Sequence, residues 1–320
     1  MGKIVTLGEV VADVYRERAA SDVELPFTAR PGGAPANVAV AAAKLGAQAS
    51  FVGRLGDDLF GEFILGALEA VGVDVSAVRR QPPPTRTTLA FVEVSKDGER
   101  QFSFYRSAPA ADELLAPDDI TPESLRGASF ANFGSIPLLK DPVRAATHRF
   151  AQLATDMNVA VAFDVNLRAH LWDSLDAFRQ AVEPMLALST IVKFSEDELS
   201  PLLGTEDPDE GADMLLDRGV SLVLMTMGRE GASYATRRFR GRVAPFEIDE
   251  IVDATGAGDA FLAATLTHLA ESPRWLDDEA SVREALSRGT AAGALACRTY
   301  GAMQALPTKD ELERFIAART

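Results

Sequence analysis

The stretch Asp253-Ala254-Thr255-Gly256-Ala257-Gly258-Asp259-Ala260-Phe261 decides how the rest of the chain is read. Gly256 and Gly258 flank one alanine, so the backbone can turn sharply and approach another group with little side-chain bulk in the way. Phe261, Leu262, Thr265, Leu266 and Leu269 follow at helical spacing, which makes the turn the opening of a helix. At such an opening the amides of Gly256, Ala257 and Gly258 lack intrahelical partners, face outward and favour negative charge. Asp259 sits among these donors. A carboxylate beside an anion hole suits a general base that activates a hydroxyl for attack on phosphorus. An ordinary cap, with Asp259 merely complementing the dipole, would use the same residues.

A second element lies upstream. Pro31-Gly32-Gly33-Ala34-Pro35-Ala36-Asn37 runs into the small-residue stretch Val38 to Gly46, again a glycine turn followed by a helix. Asn37 falls in the first turn, beside a loop able to bind a polar ligand. Elsewhere short apolar runs alternate with helical patterns: Ile4 to Leu7, Ser50 to Val52, Ser129 to Phe133, Val159 to Phe163, Ile191 to Phe194 and Leu222 to Thr226. From Asp58 to Val71 one helical face is marked by Phe60, Phe63, Ile64, Ala67, Leu68 and Val71. This rhythm predicts an α/β fold with a mainly parallel sheet sandwiched by helices, its ligands at the carboxyl ends of the strands. Thr88 to Val94 and Arg100 to Tyr105 flank Ser95-Lys96-Asp97-Gly98-Glu99 and read as a hairpin with an Asp-Gly turn. Asp13 to Arg30 reads as extended and polar.

These motifs together resemble the ribokinase (PfkB) family of ATP-dependent carbohydrate kinases, and within it the fructokinases. The N-terminal signature matches Gly32 to Asn37 and continues through Gly53-Arg54-Leu55-Gly56-Asp57-Asp58-Leu59-Phe60-Gly61; the C-terminal one is Asp253 to Phe261. Thr85-Arg86-Thr87, Phe104-Tyr105-Arg106, Asp164-Val165-Asn166-Leu167-Arg168 and Lys193-Phe194-Ser195-Glu196-Asp197-Glu198 fall between them in the family's order. The resemblance implies a ribokinase-like body formed by residues 1–12, 34–86 and 109–320, with a small β-sheet lid from 13–33 and 87–108. It implies Asp259 as base, with Gly256, Ala257 and Gly258 holding the transferring phosphoryl. Asp13, Gly32, Gly33 and Asn37 match sugar-binding positions, with Arg106 and Arg168 as donors to sugar or phosphate and Asp164 and Asn166 as braces. The family usually carries proline where Val165 stands.

On the nucleotide side the candidates are Ser195, Glu198, Thr226, Gly228, Gly231, Thr290 and Gly293, for ATP with Mg2+. Ser195 and Glu198 equally spell a capping box, and the small residues on the later helix equally serve packing. Asp253, Thr255, Ala296 and Gly301 match positions where relatives bind K+.

Composition narrows the classes. The chain has 320 residues, 32 Lys plus Arg against 47 Asp plus Glu, and a net charge of −15, which argues against nucleic acid or an anionic membrane as partner. Its single cysteine, Cys297, forbids an internal disulfide and points to a cytoplasmic home; no leader-like apolar start or membrane-length run is present. Missing motifs exclude a Walker-type phosphate loop, a dinucleotide fingerprint and a serine-hydrolase elbow, and the scattered histidines give no transition-metal cluster. The expected activity is phosphorylation of D-fructose on its 6-hydroxyl. A 2-keto-3-deoxygluconate kinase stays open, because Arg106 or Arg168 can meet a carboxylate. Ribokinase, nucleoside kinase and an inactive sugar-binding relative rank lower. Exposed lid strands invite edge pairing, so a homodimer through the lid is expected.

Overall fold

A computed structural model describes residues 2–17, 23–94, 100–272 and 274–319. Strand β1 (Lys3–Leu7) is followed by β2 (Val11–Arg16), β3 (Phe27–Gly32), α1 (Ala34–Lys44), β4 (Gln48–Gly56), α2 (Leu59–Ala70) and β5 (Val78–Gln81). After β6 (Leu89–Val94) and β7 (Arg100–Tyr105) the alternation resumes with β8 (Ala128–Gly134), α3 (Val143–Asp156), β9 (Ala160–Asp164) and α4 (Leu175–Leu188). It continues through β10 (Ile191–Ser195), α5 (Glu196–Leu203), α6 (Pro208–Asp217), β11 (Leu222–Thr226), β12 (Ala232–Ala235) and β13 (Arg240–Val243). Four helices close the chain: α7 (Ala257–Leu269), α8 (Glu279–Ala296), α9 (Ala302–Ala305) and α10 (Lys309–Ala317).

Nine strands form one sheet in the order β13-β12-β11-β10-β9-β8-β1-β4-β5. Pairing is parallel from β5 to β11, and only β12 and β13 are antiparallel additions. The chain order reverses at β1, which pairs with β4 on one side and β8 on the other; ligands collect at such a crevice. The apolar runs are strands because both faces are covered. In β1, Ile4 joins the core beneath α1, α7 and α8, whereas Val5 and Leu7 join the core on the opposite face. Among the described residues no helix is long and apolar enough to cross a membrane.

A separate four-stranded sheet has the order β3-β2-β6-β7. It is mixed: β2 pairs antiparallel with β3 but parallel with β6. The strands of the expected hairpin pair antiparallel; its Asp-Gly turn, 95–99, lies outside the described residues. One expectation on α2 fails. Phe63 is exposed, because Ile64 and Leu68 suffice to seat the helix and Phe63 falls at the edge of the stripe.

Helices α1 and α7 pack directly against each other. Ala36, Ala39 and Val40 of α1 and Ala260, Ala263 and Ala264 of α7 are all buried, and small side chains let the two backbones approach. The first turns of the two glycine-led helices are thereby brought together.

Candidate active site

Gly256 caps α7 with φ +82, a left-handed conformation that costs glycine little and other residues more. Asp259 is buried in the first turn, while Gly256, Ala257 and Gly258 stay partly exposed. Asn37 Nδ2 donates to Asp259 Oδ2 at 2.7 Å, joining residues 222 apart in sequence. Asn37 Oδ1 is buried with no partner among the described residues, leaving an acceptor beside the carboxylate. Burial pushes the Asp259 carboxyl up, against the Asn37 hydrogen bond and the charges of Lys193 and Arg168, which pull it down. One expected donor is corrected: the Ala257 N–H donates to Ala254 O at 3.2 Å. The tight turn that starts the helix consumes it, so Gly256 and Gly258 supply the open amides.

Beneath this turn lies a residue that the motif reading does not single out. Lys193 is buried, and its Nζ donates to Asp164 Oδ1 at 2.9 Å. The two are register partners on β10 and β9. Strand alternation sends both to the face of Ile191 and Ala162, the side that α7 covers. A methyl placed on Gly258 would lie 3.0 Å from Lys193 Nζ, so the ammonium sits against the open amides. Burial works against this charge, but Asp164, Glu198 and Asp259 together hold it above its ordinary range. Its signal was a lysine inside the apolar run Ile191 to Phe194, where an unpaired charge would be costly.

On the other side, Asp13 lies over the glycine turn. A methyl on Gly32 would fall 2.2 Å from Asp13 Oδ2, and one on Gly33, at φ +105, would fall 2.6 Å from Glu9 O. Asn166 has φ +37, and its carbonyl accepts from Ser135 Oγ at 3.3 Å. Arg168 is exposed, donates to Leu167 O at 3.4 Å, and acts electrostatically on both Asp259 and Glu9. Arg106 is half-buried, with guanidinium nitrogens 3.7 Å from Asp112 and 3.5 Å from Glu113. Glu9 and Asp112 are further buried acids that the motif reading does not name.

Of the nucleotide-side candidates, Ser195, Glu198, Thr226 and Gly228 lie at or just past the carboxyl ends of β10 and β11, Gly231 directly precedes β12, and Thr290 and Gly293 are on α8. Glu198 accepts from Ser195 N at 2.7 Å and from Leu167 N, so both its oxygens serve backbone. Thr226 Oγ1 donates to Phe194 O at 3.5 Å. A methyl on Gly231 would lie 2.1 Å from Val243 O, and Gly228 has φ +51. Thr290 Oγ1 turns back to Ser287 O at 2.8 Å, and a methyl on Gly293 would lie 3.1 Å from Ala257 O; both serve helix contacts here. The open surface is a groove one turn earlier on α8, lined by Arg242, Pro245, Phe246, Glu279, Arg283 and Ser287.

Asp253 braces the turn from behind, with Oδ1 accepting from Thr255 N at 2.8 Å and Oδ2 from Gly301 N at 2.9 Å. The carbonyl of Cys297, just past Ala296, accepts from Val252 N and Asp253 N. Asp253, Thr255, Ala296 and Gly301 are thus drawn together near Gly256. Among the described residues no group of three or more His, Cys, Asp or Glu can hold a metal ion. Each oxygen of Asp253 and of Glu198 accepts one backbone N–H, so these carboxylates could reach a cation only through their remaining lone pairs or through water.

The geometry defines a class: two glycine-led helix starts facing one another across an α/β crevice, with a carboxylate and open amides at their meeting point. Residues 1–309 match the pfkB family of carbohydrate kinases, and the chain belongs to that family of ATP-dependent sugar kinases. It is 39% identical over 316 residues to probable fructokinase-4 of Arabidopsis thaliana, covering 98% of this chain and 96% of the relative. A fructokinase from Xylella fastidiosa, solved with bound ATP, superposes with a TM-score of 0.91 at 31% identity, over 99% of this chain and 98% of that one. A fructokinase from Vibrio cholerae O395, solved with fructose, ADP and calcium ion, has a TM-score of 0.87 at 33% identity, over 98% of this chain and 99% of that one.

Proposed function

We propose that this chain transfers the γ-phosphate of ATP to the 6-hydroxyl of D-fructose. The observation that carries the reading is the hydrogen bond from Asn37 to Asp259, which ties the first turn of α1 to the buried carboxylate of α7 and supports a sugar hydroxyl meeting its base there. The fructokinases named above, one of them holding fructose and ADP and another ATP, support both the sugar and the nucleotide.

In this mechanism Asp13 and Asn37 hold the sugar hydroxyls, and Gly33 lets the backbone come close to the ring. Asp259 accepts the proton of the primary hydroxyl as its oxygen bonds to the γ-phosphorus and the bond to ADP breaks. The Gly256 and Gly258 amides and the Lys193 ammonium face the charge on the transferring phosphoryl. Magnesium would be held chiefly by the triphosphate and its own water, with Glu198 as the candidate residue beside that water, and would offset charge on the phosphates. The α8 groove takes the base. The small sheet acts as a lid that excludes water. Its Phe27–Phe91 and Phe91–Tyr105 contacts, at 5.2 and 4.7 Å between ring centres, form a partly exposed patch suited to a second copy.

ADP release measured across fructose, glucose, ribose, adenosine and 2-keto-3-deoxygluconate tests the reading. Fructose should give the highest kcat/KM, with fructose 6-phosphate as the product seen by phosphorus NMR. Turnover of the keto-acid or of ribose alone would refute it.

A further inference from the structure

One charged cluster beside the reaction centre takes no part in the transfer itself. Arg106, just past β7, lines a small cavity together with Glu9, Asp112, Glu113 and Lys140. Its Nη2 lies 3.7 Å from Asp112 Oδ2 and its Nη1 lies 3.5 Å from Glu113 Oε1. Both acids sit on one short turn, Ala111–Leu114, and both are fixed from behind. Thr88 Oγ1 donates to Asp112 Oδ1 at 2.5 Å. Ala110 N donates to Glu113 Oε2 at 2.9 Å, and Lys140 Nζ lies 2.7 Å from Glu113 Oε1. The guanidinium also lies over the Phe104 ring, 5.0 Å from its centre, which limits its rotation.

Glu9 joins this cluster to the reaction centre. It is 6% exposed, and its Oε2 has no partner among the described residues. Burial raises its carboxyl to about 7, with the charges of Asp112, Arg168 and Asp259 also acting on it. Its backbone lies against the glycine turn, where a methyl on Gly33 would fall 2.6 Å from Glu9 O, and it also lines the Arg106 cavity, so Glu9 bridges the sugar-side turn and the cavity.

A free arginine fork is a ready receptor for a carboxylate, which it binds through two parallel hydrogen bonds. Here the fork is already faced by acids. A substrate carboxylate reaching for the fork would have to press into a cavity of about 20 Å³ already bounded by Asp112 and Glu113, with little water to screen the repulsion. An uncharged sugar would meet no such penalty. We propose that Asp112 and Glu113 are specificity-determining residues, which occupy the Arg106 fork and so exclude carboxylate-bearing sugars from the acceptor site. The inference rests on the kinase reading but not on fructose in particular.

The test compares kcat/KM for fructose and 2-keto-3-deoxygluconate in the wild type, in E113Q, and in the double variant D112N/E113Q, which keeps shape and removes charge. The acid-to-fructose ratio should rise about tenfold or more in the double variant, chiefly through a lower KM for the acid. Adding R106Q should abolish that gain. Should the double variant fail to fold, E113Q alone should raise the ratio by about threefold. An unchanged ratio in a folded variant, or a gain that survives R106Q, would overturn the proposal. A wild type that uses a different neutral sugar would remove fructose as substrate while still supporting the proposal, the ratio then being taken against that sugar. A wild type that prefers the keto-acid would overturn both.

Discussion

Helices α5 and α7 both begin at the ligand-bearing edge of the sheet, and both carry acid in their first turn. Their ends differ in what they leave over. At α5, Glu198 turns back to Ser195 N and reaches Leu167 N, and Glu196 and Asp197 add further negative charge. At α7 the cap is Gly256, which offers no side chain, and Asp259 is drawn sideways to Asn37 instead of back onto the helix. The open amides then face outward with the Lys193 ammonium close by. A helix start is open to an anion when its own side chains are kept from satisfying it, and the Asn37 bond draws Asp259 away from the α7 amides.

Removing the acid at the open end should have the largest effect. Asp259→Asn should lower kcat by about 10²–10⁴-fold with the fold and sugar affinity kept, measured by ADP release and sugar binding side by side. Near-normal turnover would refute its role as base. Lys193→Met comes next, since it leaves Asp164 buried without its counter-charge. It should cost about 3–5 kcal/mol of stability by denaturant titration, together with a fall in kcat; unchanged stability would show that the pair is not buried in solution.

The sugar side of the open end should also report through pH. The Glu9 carboxyl sits at about 7 in the folded chain against an ordinary 4.5, so the unfolded chain loses its proton first. Stability should therefore fall as pH rises from about 4.5 to about 7, by on the order of 3 kcal/mol. Glu9→Gln should flatten that slope in thermal melts; a slope unaltered by the substitution would place the titration elsewhere. The smallest effect belongs to the closed end. Glu198→Ala should cost about 1–2 kcal/mol from the lost cap and about tenfold in kcat/KM, because its contact with Leu167 N steadies the loop bearing Arg168. A sharply increased magnesium requirement in this variant would instead show that the carboxylate serves the metal.

Much of this was legible in the sequence because it rests on local rules. The strands follow from apolar runs covered on both faces, and the α7 turn follows from two glycines before a helical stripe. That Asn37 and Asp259 meet follows from two glycine-led helices on one fold. What stayed hidden depends on contacts between distant elements. Lys193 reads as an oddity within an apolar run until β9 places Asp164 beside it. Arg106 reads as a free cation until the Ala111–Leu114 turn brings two carboxylates to it. Ala257 reads as an open amide because helix-start rules do not say that this turn is tight enough to bond back to Ala254. Phe63 reads as core because periodicity marks a stripe but not its edge.

The most direct measurement is a crystal structure of the ternary complex with fructose and a non-hydrolysable ATP analogue. The fructose 6-hydroxyl should lie within hydrogen-bond reach of Asp259, with the γ-phosphoryl on the Gly256 and Gly258 amides. A γ-phosphoryl seated at the start of α5, or a sugar whose hydroxyls do not approach Asp259, would contradict the account.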